Sequence, residues 1–198
     1  MPLLPERKIS FYIIGPSSSG KTTLCEALSK RLGIHDGAFV REVARTVMKE
    51  KGYSRDTIGS LQMQKDIMEA HFVQESSLDN SGFKIRVCDR SAIDAVVYAI
   101  LTANSVKVGE ERQQALTESP GFQEALNRYS DQRSIVLLLK PVPGWLVDDG
   151  VRSLEEQDQC LRVFKKLLAD LKLFYFEVGE EMKFIEERIN FAMGLAKL

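Results

Sequence analysis

Residues 15–22 read Gly15-Pro16-Ser17-Ser18-Ser19-Gly20-Lys21-Thr22, a full match to the spacing G-x-x-x-x-G-K-[ST]. The chemistry implied is phosphate binding. The two glycines let the backbone turn tightly, so that successive N–H groups point inward at an anion. A helix N-terminus behind them adds unpaired N–H groups and partial positive charge. Lys21 reaches β- and γ-phosphates, and the Thr22 hydroxyl is a ligand for Mg²⁺. Gly15, Pro16, Ser17, Ser18, Ser19, Gly20, Lys21, Thr22 and Thr23 are therefore expected to cradle a nucleoside triphosphate, ATP with Mg²⁺.

Four further groups fit that chemistry. Asp89 follows Lys84-Ile85-Arg86-Val87-Cys88 at a strand end, the position from which a phosphate-loop protein offers a second, often water-mediated, group to Mg²⁺; the alternative is an Asp that merely ends the strand. Thr22 and Asp89 are the expected metal pair. Arg90, its neighbour, would face a phosphate or an acceptor, or is simply a surface arginine. Glu42, flanked by Arg41 and Arg45, could take the proton from an acceptor hydroxyl, or could simply favour a helix start. Arg152 follows Trp145 and the turn-forming Asp148-Asp149-Gly150. It fits a lid, spanning about residues 141–160, that brings positive charge to a transferring phosphoryl group. Ser91 and Asp94 have the spacing of a capping box, and substrate contact by Asp94 is an equal alternative. His35 and His71 are assigned no catalytic role; His71 sits in a helical pattern as a packing or surface residue.

These groups need positioning. Residues 9–14 form a short apolar strand before the loop, and residues 23–32 a helix after it. Residues 37–40, 83–88, 134–139 and 173–178 read as further strands. Helices are expected after 41–45 and ending near Gly52, then from Ser54 with Ile58, Leu61, Met68 and Phe72 on one face. Others follow at 91–101, apolar nearly all round, and at 109–129 with a break at Ser119-Pro120-Gly121. The last two are expected from about Leu154 and from Glu180. Five strands alternating with helices predict an α/β fold, a parallel sheet covered on both faces. Ligands of such sheets bind at the carboxyl ends of the strands. Residues 15–23, 41–45, 89–94 and 141–152 should therefore converge on one cleft.

The composition excludes several classes. A chain of 198 residues with 44% hydrophobic and 28% charged residues suits one α/β domain over 1–198. A net charge of −1 gives no field that would draw the chain to nucleic acid. No apolar run approaches the roughly 20 residues of a membrane span, and residues 1–8 lack the apolar core of a signal peptide. Cys25, Cys88 and Cys160 are widely spaced, without metal-ligand spacing, and read as free thiols in a reducing compartment. A cytoplasmic protein is expected, and no protein partner is implied.

Taken together, the loop with Thr23, the segment 41–45 (Arg-Glu-Val-Ala-Arg), Asp89-Arg90-Ser91-Ala92-Ile93-Asp94 with Tyr98, and Trp145 followed by 149–153 (Asp-Gly-Val-Arg-Ser) resemble the NadR-type P-loop kinase family. That family carries a nicotinamide riboside kinase domain and groups with AAA-type ATP-binding domains. The resemblance runs from Phe11 to about Ala192. It implies a nucleoside-kinase-like P-loop NTPase fold with a lid, ATP and Mg²⁺ at the loop, a lid arginine at Arg152, and an acceptor near Glu42, Asp89 and Arg90.

Two activities lead among those compatible with these residues. One is phosphoryl transfer from Mg-ATP to a small, nucleoside-like hydroxyl acceptor, with nicotinamide riboside as one candidate. The other is a switch or binding module that hydrolyses ATP or GTP slowly. A third, a polynucleotide 5′-end kinase, shares the chemistry but wants a basic channel, which a net charge of −1 does not support. A Ras-like GTPase is disfavoured, because Asn-Lys-x-Asp is absent and the Asp-x-x-Gly at 79–82 precedes the third strand. The apolar helix behind 89–94 favours a fixed pocket, and with it the kinase.

Overall fold

The computed structural model describes residues 8–34, 38–79, 82–142 and 154–198. Five parallel strands form one sheet in the order β2-β3-β1-β4-β5. They are β1 (Ile9–Ile14), β2 (Phe39–Val40), β3 (Ile85–Asp89), β4 (Ser134–Leu139) and β5 (Phe176–Val178). The central strand β1 pairs with β3, Ile13 opposite Asp89, and with β4, Ile14 opposite Leu138.

Side chains alternate across a strand, and here both faces are buried. Phe11 and Ile13 of β1, with Val87, Leu137 and Leu139, pack under α1 (Lys21–Arg31) and α8 (Ile185–Ala196). Tyr12 and Ile14, with Cys88, Val136 and Leu138, face the opposite layer. That layer comprises α2 (Ala44–Lys51), α3 (Leu61–Asp79), α4 (Ala92–Leu101), α5 (Val106–Thr117), α6 (Pro120–Tyr129) and α7 (Leu154–Asp170). Residues 11–14 of β1 and 135–139 of β4 are continuously apolar because both faces of these strands meet a helical layer, whereas β3 carries the buried Arg86. The expected parallel sheet with helices on both faces is the observed architecture.

Some boundaries differ from expectation. Ser54 caps only a single 3₁₀ turn, Arg55–Thr57, by accepting from the Asp56 N–H at 3.2 Å. The long helix starts instead behind Ser60, whose Oγ accepts from the Met63 N–H at 3.3 Å. The break between α5 and α6 falls at Ser119, an N-cap followed by Pro120 at the first helical position. β5 is three residues long, and Leu173 is a core residue just beyond the end of α7. The last helix begins at Ile185, five residues later than expected. Met182 N–H first closes a turn onto the Gly179 carbonyl, and Glu187 then accepts from the Phe184 N–H at 2.9 Å. No described helix is long and apolar enough to cross a membrane.

Candidate active site

The loop between β1 and α1 is shaped by two close constraints. Gly15 has φ +138°, and a Cβ there would lie 2.5 Å from the backbone oxygen of Leu139, so the loop leaves β1 hard against β4. Gly20, at φ +85°, is the N-cap of α1. Between them Ser19 Oγ donates to the Pro16 carbonyl at 2.9 Å. Lys21 Nζ donates to the same carbonyl and lies 3.4 Å from Ser19 Oγ. The ammonium is thus folded back over the loop, 4% exposed. Burial pushes its pKa down to about 7; Arg90 pushes the same way, and Asp94, Asp89 and Glu42 oppose. A phosphate at the loop would restore the charged form by the attraction of opposite charges.

Thr22 Oγ1 donates to Asp89 Oδ2 at 2.6 Å, joining the start of α1 to the end of β3. The other carboxylate oxygen, Oδ1, is buried and has no hydrogen-bond partner among the described residues. Burial pushes the Asp89 carboxyl up, while Thr22, Arg90 and Lys21 pull it down. An orphaned carboxylate oxygen beside a hydroxyl is a hard oxygen donor set, which fits Mg²⁺.

Arg90 stands at the next residue with φ +78°, and its N–H donates to the Ile13 carbonyl at 3.0 Å. This left-handed residue ends the strand and turns its side chain between two carboxylates. Arg90 Nε lies 3.0 Å from Glu42 Oε1, an ion pair without the alignment of a hydrogen bond, and Nη1 donates to Asp94 Oδ1 at 3.3 Å. Burial opposes its charge, but Tyr98, Asp94, Glu42 and Asp89 together raise its pKa above the ordinary value. Glu42 makes a second, looser pair with Arg45 at 3.6 Å. Asp94 does form the capping box: its Oδ2 accepts from the Ser91 N–H at 3.0 Å, and Ser91 Oγ accepts from the Ile93 N–H at 3.2 Å. Burial raises its pKa to about 6 against the pull of Arg90 and Lys21. Asp94 therefore both caps α4 and grips Arg90.

Behind this cluster lies a cavity of about 150 Å³. Ser17 of the loop, Glu42, Arg90 and Asp94 line it together with Met48, Met63, Ile67 and Tyr98. Gln64 and His71, both buried, also line it. Of the segments expected to converge, 15–23, 41–45 and 89–94 do meet. From the fourth, only Pro141 and Val142 are described; Trp145 and Arg152, with the rest of 143–153, lie outside the described residues.

Three cavity or loop residues had no sequence signal. Gln64 and His71 occupy one face of an ordinary amphipathic helix. Arg188, on α8, is held by the Met182 and Lys183 carbonyls at 3.0 and 3.1 Å. Its Nη1 comes within 3.7 Å of where a Cβ on Gly20 would stand. A cation beside the phosphate loop, supplied from far along the chain, is invisible to local pattern.

Residues 10–188 match the AAA domain family, and the chain belongs to it. No curated protein matches in sequence. Among solved structures the chain is similar to NadR protein in complex with NR, at TM-score 0.72 and 20% identity over 96% of this chain. It spans about half of the NadR chains it matches, 52% of that one. It is also similar to the deoxyadenosine kinase from M. mycoides with bound dATP, at TM-score 0.67 and 14% identity, covering 96% of this chain and 100% of the other. These likenesses define a P-loop fold with a five-stranded parallel sheet, shared with NadR and with the deoxyadenosine kinase.

Proposed function

We propose that this chain is an ATP-dependent phosphotransferase acting on a small nucleoside-like hydroxyl acceptor. One observation carries the proposal. The phosphate loop and a largely apolar cavity that opens to the surface share a wall, with Ser17 on the loop and Glu42, Arg90 and Asp94 between the two. Solved structures of similar fold support it, since they include a deoxyadenosine kinase with bound dATP and NadR with NAD and AMP-PNP.

In this reading residues 15–23 cradle the triphosphate and Lys21 leaves the Pro16 carbonyl for the β- and γ-phosphates. Thr22 and Asp89 hold Mg²⁺, which when bound neutralises charge on the phosphates. Glu42 is the base: it accepts the proton of the acceptor hydroxyl as that oxygen bonds to the γ-phosphorus and the bond to ADP breaks. Arg90, paired with Glu42 at 3.0 Å, orients it. Arg152, on a lid over about 141–160, supplies charge to the phosphoryl group on closure. The chain works as one unit over 1–198. Nicotinamide riboside is one candidate acceptor and deoxyadenosine another.

The test is a screen of nucleosides with ATP labelled in the γ-phosphate. Transfer of label to a nucleoside supports the proposal. No labelled product across the screen, with differing protease protection of 141–155 by nucleoside di- and triphosphate, would favour a nucleotide switch instead.

A further inference from the structure

His71 lies within α3, fully buried, and neither ring nitrogen has a hydrogen-bond partner among the described residues. Its pKa is pushed down to about 3, first by burial and then by Arg90. The ring is therefore neutral and carries one N–H donor and one bare nitrogen acceptor. Such a ring is a poor general acid or base near neutral pH. As a packing residue it is also a poor choice, because a leucine would fill the space without leaving polar atoms unmet. Its place explains it: His71 lines the same cavity as Glu42 and Arg90, among Met63, Ile67 and Ala95. Gln64 lies on the same helix face, two turns earlier and about 10.5 Å along the axis. The cavity thus carries ionic groups where it meets the phosphate loop and neutral hydrogen-bonding groups on α3.

We propose that His71 is a specificity-determining residue: it hydrogen-bonds the ring of the acceptor, which is a nucleoside whose base carries a neutral amide or amino edge. This rests on the kinase reading given above. With the base edge on α3, the sugar hydroxyl points toward Glu42 and the loop. A base lacking that edge leaves the imidazole unmet, and a buried polar site rejects such an analogue strongly.

Two nucleoside pairs test this, each differing only at the edge: deoxyadenosine against purine deoxyriboside, and nicotinamide riboside against pyridine riboside. Wild type should prefer the edge-bearing member of at least one pair by about 100-fold or more in kcat/KM. In His71→Leu that ratio should fall by about 10–100-fold, and His71→Asn should restore part of it. His71→Leu without nucleoside should melt no lower than wild type, which a structural histidine would not allow. Should His71→Leu fail to fold, the ratio in His71→Asn against wild type decides. A ratio unchanged in the variants, or a wild type that distinguishes neither pair, overturns this inference and leaves the kinase reading standing. A wild type that phosphorylates no nucleoside overturns both.

Discussion

Thr22 and Asp89, 67 positions apart in the chain, share a 2.6 Å hydrogen bond. One opens α1 and the other closes β3. Because β1 and β3 are parallel neighbours with Ile13 opposite Asp89, the carboxylate is carried to the mouth of the phosphate loop. The relation depends on sheet register, so a slip of one residue would turn Asp89 to the other face.

This pairing separates two carboxylates by metal dependence. Asp89→Asn should raise the Mg²⁺ concentration needed for half-maximal turnover and depress both phosphoryl transfer and acceptor-free ATP hydrolysis. Glu42→Gln should depress transfer by about 10²–10⁴, the range for general base catalysis, and affect hydrolysis by water far less. Mg²⁺ titrations of both reactions for the two variants check this. Identical profiles would contradict the division of roles.

Gly15→Ala should damage the loop rather than the chemistry. The added Cβ would meet the Leu139 backbone oxygen at 2.5 Å, at a φ of +138° that L side chains rarely adopt. A cost of about 1–3 kcal/mol is expected from backbone strain alone. Thermal melting should show a lower Tm together with weakened ATP-analogue binding. Wild-type values for both would contradict the observed packing of loop against β4.

A second buried carboxylate makes a pH prediction. Glu75, wholly buried on α3, accepts from the Tyr129 hydroxyl at 3.0 Å and pairs with Arg128 at 3.4 Å. Burial nonetheless pushes its pKa up to about 7, against the opposing pull of Arg128 and Tyr129. The folded state therefore binds more protons than the unfolded one between pH 4.5 and 7. Glu75's favourable contribution is complete below that window and is lost as pH rises through it. Relative to wild type, Glu75→Gln should gain stability across the window, on the order of 2 kcal/mol from its lower to its upper end. Denaturant unfolding of both proteins at several pH values checks the slope of the difference. A difference flat with pH would show that Glu75 stays ionised.

The loop and the strands β1 and β4 were legible in the sequence because their signals are contiguous: a fixed glycine spacing, and apolar runs buried on both faces. Chain ends of elements were less so. Leu173 is apolar because it packs in the core, not because it lies in a strand, and Glu180 belongs to a turn before α8. Within the site, Lys21, Thr22, Glu42, Asp89, Arg90 and Asp94 could be singled out from the sequence, but their connections could not, and Gln64, His71 and Arg188 left no signal. That Arg90 bridges Glu42 and Asp94 depends on a left-handed backbone at one non-glycine residue. That His71 faces a cavity depends on how α3 is rotated against α4. Arg188 reaches Gly20 only because α8 packs beside α1. None of these leaves a periodic trace. Arg152 lies outside the described residues, and its lid role remains the sequence's expectation.

The most direct test of the account is the ratio of phosphorylated nucleoside to ADP formed, measured with and without acceptor and with Lys21→Ala as control. The account predicts slow ATP consumption without acceptor, because on the kinase reading the largely apolar cavity beside the loop receives an acceptor in place of water. With the right nucleoside it predicts many-fold faster consumption, one phosphorylated product per ADP, and loss of both in a folded Lys21→Ala protein. ADP formation indifferent to every nucleoside, or unchanged in Lys21→Ala, would contradict it.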